Sequence, residues 1–261
     1  MPQKKMYKKR NYKKKTYKPS VASQIDRYFK RKCETQLSIN NVTANQQYGH
    51  NECHAPILND LLQTIQGTGN QVAQVGNRSG DHIILKGLAI RMLLEKNVNI
   101  EQLKCRIMVI KSRRGYFTPG TNIIPTTSIY RQASGSSTPT IMDYTKKRVI
   151  TILYSKWITI NSTNALIGTG GVEPGQPTAG VFSPFSQGLA TSKNSYYLNT
   201  YLTAKQLGLR GGNITYEPGS TNVKDFDYSV VLVPYVSYDY ATGTTCMRVN
   251  DCITTMYYID P

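Results

Sequence analysis

The chain has 261 residues, with 32 lysines and arginines against 15 acids and a net charge of +17. Tyrosine (19), glycine (20), threonine, asparagine and serine are abundant, and long Ala/Leu/Glu/Lys stretches are absent. This composition argues against a helical bundle and for strands joined by polar loops, and no apolar run approaches the roughly 18–20 residues of a membrane span.

The charge is concentrated at one end. Residues 1–32 hold thirteen bases and one acid, Asp26, a net of +12. The other 229 residues hold nineteen bases and fourteen acids, a net of +5. The bases are Lys4, Lys5, Lys8, Lys9, Arg10, Lys13, Lys14, Lys15, Lys18, Arg27, Lys30, Arg31 and Lys32, and Tyr7, Tyr12 and Tyr17 recur among them every five positions. Such a segment has too little apolar mass to offset chain entropy, and its charges repel. Residues 1–32 are therefore expected to form a mobile arm ahead of a single domain at 33–261. The segment lacks an amphipathic apolar face, so the expected polyanion is nucleic acid and not a membrane. Lysine and arginine neutralise phosphates, and tyrosines stack on unpaired bases. Neither contact reads sequence, so the arm is expected to take single-stranded nucleic acid of any sequence. Lys8-Lys9-Arg10 and Lys13-Lys14-Lys15 also read as a nuclear localisation signal. No apolar stretch follows the N-terminal charge, so no secretory signal is expected.

Beyond the arm, residues 34–43 are expected to form a first strand. A polar stretch runs to about Gly80, with Asn59 a candidate cap for a short helix within Ala55–Leu62. Residues 82–95 form the clearest strand: Ile84, Leu88, Ile90, Met92 and Leu94 share one parity, with Lys86 the misfit. In 103–111, Leu103, Cys105, Ile107 and Val109 share a face, and Lys104 and Arg106 lie on the other. Ser112-Arg113-Arg114-Gly115 reads as a basic turn, followed by a Pro/Thr/Ser loop to about 145. Strands are expected at 148–154, 156–160, 195–203, 227–238 and 252–259, with long loops at 161–194 and 205–225. Pro234 inside 227–238 suggests an edge position or a bulge. About eight strands with loops of this length suit a two-sheet jelly roll, whose ends tolerate them.

Cys33, Cys53, Cys105, Cys246 and Cys252 are odd in number and lack a CxxC pair, so free thiols are expected. Cys246 and Cys252 are placed around a hairpin turn. His50, Cys53 and His54, with Cys33 upstream, do not have the spacing of a common zinc motif. Asp225 and Asp227 bracket Phe226, and the expected role of both is loop solvation. Gly67-Thr68-Gly69 and Gly168-Thr169-Gly170-Gly171 lack the Gly-Lys-Ser/Thr of a P-loop. No G-x-S-x-G nucleophile motif is present and histidines are few. Neither an enzyme nor a cofactor is expected.

Several pieces form an ordered pattern: Gln66-Gly67-Thr68-Gly69, Arg78-Ser79-Gly80-Asp81-His82-Ile83, Leu85 to Arg91, Arg106 to Lys111, Arg113-Arg114-Gly115, and a Tyr/Asp-rich ending from Tyr228 to Tyr258. With the arm in front, the chain resembles the capsid proteins of small circular single-stranded DNA viruses that encode a replication initiator. It departs from them at 161–194. The resemblance implies an all-β, eight-stranded jelly roll that assembles with itself into an icosahedral shell, about 60 copies in the simplest case, around the genome. Virion and host nucleus are the implied locations, with a nuclear import receptor and a cell-surface receptor as further partners. Trp157, Tyr196, Tyr197, Tyr235 and Tyr257 are candidate contacts between copies. A cellular nucleic-acid-binding protein without a closed shell is the alternative; an enzyme or lectin would leave the arm unexplained.

Overall fold

The structure, a computed structural model, describes residues 35–42, 46–67, 77–97, 100, 102–118, 123–131, 145–146, 149–161, 194–236 and 241–260. All of them belong to the unit Thr35–Pro261. Among the described residues, strands dominate and the fold is all-β. In chain order they are β1 (Gln36–Val42), β2 (Gln46–Gly49), β3 (Cys53–Ile57), β4 (Ile65–Gln66), β5 (Asn77–Arg78), β6 (His82–Lys96), β7 (Gln102–Arg113) and β8 (Ile123–Ile124). A one-turn helix α1 (Thr126–Ile129) precedes β9 (Ile150–Asn161), β10 (Ser195–Thr203), β11 (Asn213–Thr215), β12 (Phe226–Val236) and β13 (Thr245–Ile259).

The longer strands form two antiparallel sheets. One runs β1-β13-β6-β10, with β11 added to β6 and β2 to β13; the other runs β8-β3-β12-β7-β9. The pairing is nested: β1 with β13, β3 with β12, β6 with β10, β7 with β9. Outer parts of the chain pair with each other, and the middle pairs with itself.

Alternation places the core. Leu88, Ile90, Met92 and Leu94 of β6 meet Leu103, Cys105, Ile107 and Val109 of β7 between the sheets, as the period-two pattern requires. A second layer lies on the other face of the second sheet, where Met108, Ile110, Val231 and Val233 are covered by Phe117, Ile124, Ile129 and Tyr130. The strands β7 and β12 are thus apolar on both faces, and a fully buried side chain of this size contributes about 1.5–3 kcal/mol.

Lys86 misfits because it is the extra residue of a β-bulge. Tyr257 pairs with Gly87 and Tyr258 with Leu85, which leaves Lys86 unopposed. The bulge reverses the phase of β6, so Ile83 and Leu85 are buried before it and Leu88 and Ile90 after it.

Several expectations are corrected. Asn59 caps no helix: it sits at φ 65°, its N–H donates to Ser229 Oγ (2.9 Å) and its side chain donates to the Phe117 carbonyl (3.1 Å). The residues before it form the fully buried strand β3. β12 is central, not an edge. Pro234 is tolerated because it lies past Leu232, the last residue paired to β3. Its carbonyl, on the same side as its nitrogen, accepts from the Asn51 N–H instead (2.8 Å). Residues 150–161 are one strand with a bulge at Leu153, where two were expected. No turn separates Cys246 from Cys252, since both lie in β13. The 205–225 interval carries a 3-10 turn (Arg210–Gly212) and β11. Nearly all of the 161–194 loop lies outside the described residues.

Candidate nucleic-acid interface

All sixteen arm residues assigned to nucleic-acid binding, from Lys4 to Lys32 and including both basic clusters, lie outside the described residues. The root of the arm is described. Gln36 opens β1 opposite Tyr258, and Lys86 Nζ donates to Thr35 Oγ1. The bulge therefore carries a cation to the point where the arm joins the body.

At this end the outer face of the first sheet is aromatic. Leu198 and Leu202 point β10's even positions into the core, so Tyr197, Asn199, Tyr201 and Thr203 face outward. Tyr197 is 59 % exposed and Tyr201 52 %. Tyr257, from β13, meets Tyr201 edge to face with centroids 5.9 Å apart. Gly87 makes this possible: a Cβ there would overlap the Tyr201 hydroxyl and lie 2.9 Å from the Leu202 carbonyl oxygen. Arg91, exposed, stands opposite Asn199 in the register. Glu95 on the same sheet is ion-paired to Arg248 (2.6 Å).

The second sheet carries a smaller cationic-aromatic group. Arg106 donates to Ser155 Oγ (3.1 Å), and its guanidinium lies 5.6 Å from the Trp157 ring and 6.0 Å from that of Tyr130. Trp157 is 47 % exposed on the edge strand β9, so it is not a core residue. Tyr196, by contrast, turns inward against the core, and Tyr235 packs on the second layer. Neither is a free surface aromatic.

The basic turn is mostly occupied. Arg114 is ion-paired to Glu217, and Gly115 (φ 70°) donates its N–H to the buried Asp227 carboxylate (2.8 Å). Burial pushes the Asp227 carboxyl above its usual range, and the same holds for Asp60. Lys111 Nζ lies 3.7 Å from the Phe226 ring centroid, beside a cleft of about 550 Å³ lined also by Arg113, Val149 and Asp225. Burial lowers the pKa of Lys111, which Asp225 opposes.

Two motifs prove to be structural. Arg78 is buried, donates to Asp81 Oδ1 (3.1 Å) and to the Gly80 and Ser220 carbonyls, and stacks 4.3 Å from the Tyr216 centroid. The Arg78-Ser79-Gly80-Asp81 segment thereby locks the 216–220 loop. His50 and His54 each accept a backbone hydrogen bond, from the Val236 N–H (3.0 Å) and the Gly49 N–H (2.8 Å). Burial lowers both pKa values, that of His54 to about 4. Among the described residues, no group of three or more His, Cys, Asp or Glu gathers as metal ligands.

Cys53, Cys105, Cys246 and Cys252 are buried free thiols, and Cys33 lies outside the described residues. No helix among the described residues is long and apolar enough to cross a membrane.

Sequence reasoning singled out Tyr197 and Tyr257 as strand-face aromatics but missed Tyr201 and grouped the inward Tyr196 with them, although a signal existed. In Ser195–Thr203 the shared parity of Leu198 and Leu202 separates Tyr197 and Tyr201 from Tyr196. No protein-family model matches the chain, and no curated protein matches it.

Proposed function

We propose that this chain is a capsid subunit, a single jelly roll that assembles with copies of itself into an icosahedral shell and packages circular single-stranded DNA through its basic arm. The observation that carries this reading is the nested pairing. Without the short β2, β4, β5, β8 and β11, eight strands remain, paired first with last and inward to β7 with β9. That order is a long hairpin rolled into two four-stranded sheets. It supports a jelly roll, a fold used by shells and by lectins. The arm favours the shell, because a net charge of +12 on 32 residues serves a polyanion and not a sugar.

The mechanism is assembly, with no bond-making step. If about 60 copies close the simplest shell, their arms carry roughly 700 positive charges. Counterion arithmetic matches these to a substantial fraction of a genome of about one or two thousand nucleotides. Before closure, Lys8-Lys9-Arg10 and Lys13-Lys14-Lys15 offer an import receptor its signal, which makes the host nucleus the assembly site and the virion the final location. Exposed loops are the natural place for a cell-surface receptor.

Deleting residues 1–32 tests this. The body should stay folded and particles should lose their nucleic acid, read by the absorbance ratio at 260 and 280 nm together with electron microscopy. Particles that still hold a full load would sink the arm's role. Full-length protein that binds DNA only as small open oligomers would replace the shell with a non-enzymatic nucleic-acid-binding protein.

A further inference from the structure

We infer that the outer face of the β1-β13-β6-β10 sheet is a second single-stranded nucleic-acid site, where Tyr197, Tyr201 and Tyr257 stack unpaired bases and Arg91 and Lys86 meet phosphates. This site presupposes the arm's role in nucleic-acid binding and extends it from the tail to the body.

The geometry supplies a platform. Tyr197 and Tyr201 lie four residues apart on one face of β10, which a strand spaces at about 13 Å. Tyr257 adds a third ring edge to face with Tyr201. A single exposed tyrosine needs no explanation, but two that are more than half exposed on one strand face, one of them packed edge to face with a third, make an aromatic row. Rings of this kind accept any base, because every base has a π-face. They do not suit duplex DNA, whose bases are stacked on each other.

Charge and tether select the occupant. At the arm-root end the charged side chains of this face are cationic: Lys86 and Arg91 are both exposed. Glu95 is neutralised by Arg248, and the exposed Asp251 stands opposite Leu93 in the same row as Tyr197, so the cationic part of the face lies around Tyr201 and Tyr257. The arm joins β1 at this end through Thr35, which Lys86 contacts. The tether at Thr35 thus favours, as occupant, a strand that the arm has bound. Asn199 and Thr203, neutral and hydrogen-bonding, complete the face without opposing a phosphate.

The competing occupant is another copy of the chain, drawn to the same rings and to the exposed Ile39. One experiment separates the two. Full-length protein is titrated against a fluorescent oligothymidylate and against a duplex of equal length, over a range of salt. Tyr197→Ala/Tyr201→Ala, Tyr197→Phe/Tyr201→Phe, Arg91→Ala and an arm variant with Lys8, Lys9, Arg10, Lys13, Lys14 and Lys15 changed to Ala are compared, and each is checked for its melting temperature.

The alanine pair should bind the single strand at least about fivefold more weakly for each ring lost, with little change for duplex and with its salt slope intact. The phenylalanine pair should bind like the parent. Arg91→Ala should reduce the salt slope by roughly 0.7. Unchanged single-strand affinity in the alanine pair, with native melting, overturns the second site. So does a loss of assembly with DNA affinity retained, which would assign the face to contacts between copies. If the arm variant binds as tightly as the parent and with the same salt slope, the arm's own role fails. If the alanine pair binds normally while the arm variant binds weakly, the arm stands and the second site falls.

Discussion

Gly87 shows how much one residue decides. It lies beneath Tyr201, beside the extra residue of a bulge and close to a neighbouring carbonyl. Gly87→Ala should cost about 1–3 kcal/mol through overpacking, read in urea unfolding. Tyr201 is exposed and can swing away, whereas the Leu202 carbonyl cannot, so adding Tyr201→Ala should recover only part of the loss. Full recovery would locate the whole conflict in the tyrosine, and no loss in Gly87→Ala would remove the close packing. The charge concentrated in residues 1–32 was readable at this scale because charge density needs no partner to be recognised. The outward set of β10 was legible in principle from the parity of Leu198 and Leu202. Lys86 was visible as a misfit, but its cause lay with Tyr257 and Tyr258, some 170 residues away. Asn59 was misjudged for the same reason, since Phe117 and Ser229 hold it and the local sequence names neither.

The turn between β2 and β3 is flanked by two buried histidines held in the neutral form. His50 N–H donates to the Thr244 carbonyl (2.8 Å), the Gly243 N–H donates back to the His50 carbonyl (3.0 Å), and the Asn51 N–H donates to Pro234. Both rings accept a backbone N–H, which only the neutral ring can do. His54 also faces Glu52 (Nε2 to Oε2, 3.3 Å), so a protonated ring would exchange the Gly49 bond for this carboxylate. Its pKa falls from 6.5 when unfolded to about 4 when folded, because burial disfavours the charge. The unfolded chain therefore takes the proton first, and stability is lost as pH falls from about 6.5 towards 4. Asp60 and Asp227, pushed up by burial, work in the opposite sense. Melting temperature measured from pH 7 to pH 4.5 should drop less in His54→Gln, whose amide oxygen can still accept the Gly49 N–H. Parallel curves for the two proteins would show that this turn is not the acid-labile part. At this scale β6 was readable because alternation dominates where one face is buried, and β12 because a strand buried on both faces is a continuous apolar run. β13 was read short, since Arg248 and the bulge at Asn250 interrupt its alternation and Glu95 neutralises Arg248 from another strand. Pro234 looked like an edge signal because the sequence does not reveal where β3 stops.

For the whole molecule, the sequence suggested strands and a container, but it could not order the strands in sheets. Nested pairing joins residues more than two hundred positions apart, as in Gln36 with Tyr258, and no local pattern encodes that. Such long-range closure makes the body one cooperative object, yet its apolar interior has two layers. The four described thiols are divided between them: Cys105, Cys246 and Cys252 lie between the sheets, and Cys53 lies in the layer of Phe117, Ile124, Ile129 and Tyr130. Burial pushes Cys53, Cys246 and Cys252 up to about 12, and Cys105 higher. At these four positions a thiol reagent meets no reactive thiolate until a layer opens. The protein thus carries its own clock of internal breathing, without an added label. In mild denaturant, Cys53 should be modified ahead of the other three, followed residue by residue by mass spectrometry, because its cover is a short segment and theirs is a paired sheet. Simultaneous modification of all four would mean that cover and sandwich open as a single unit.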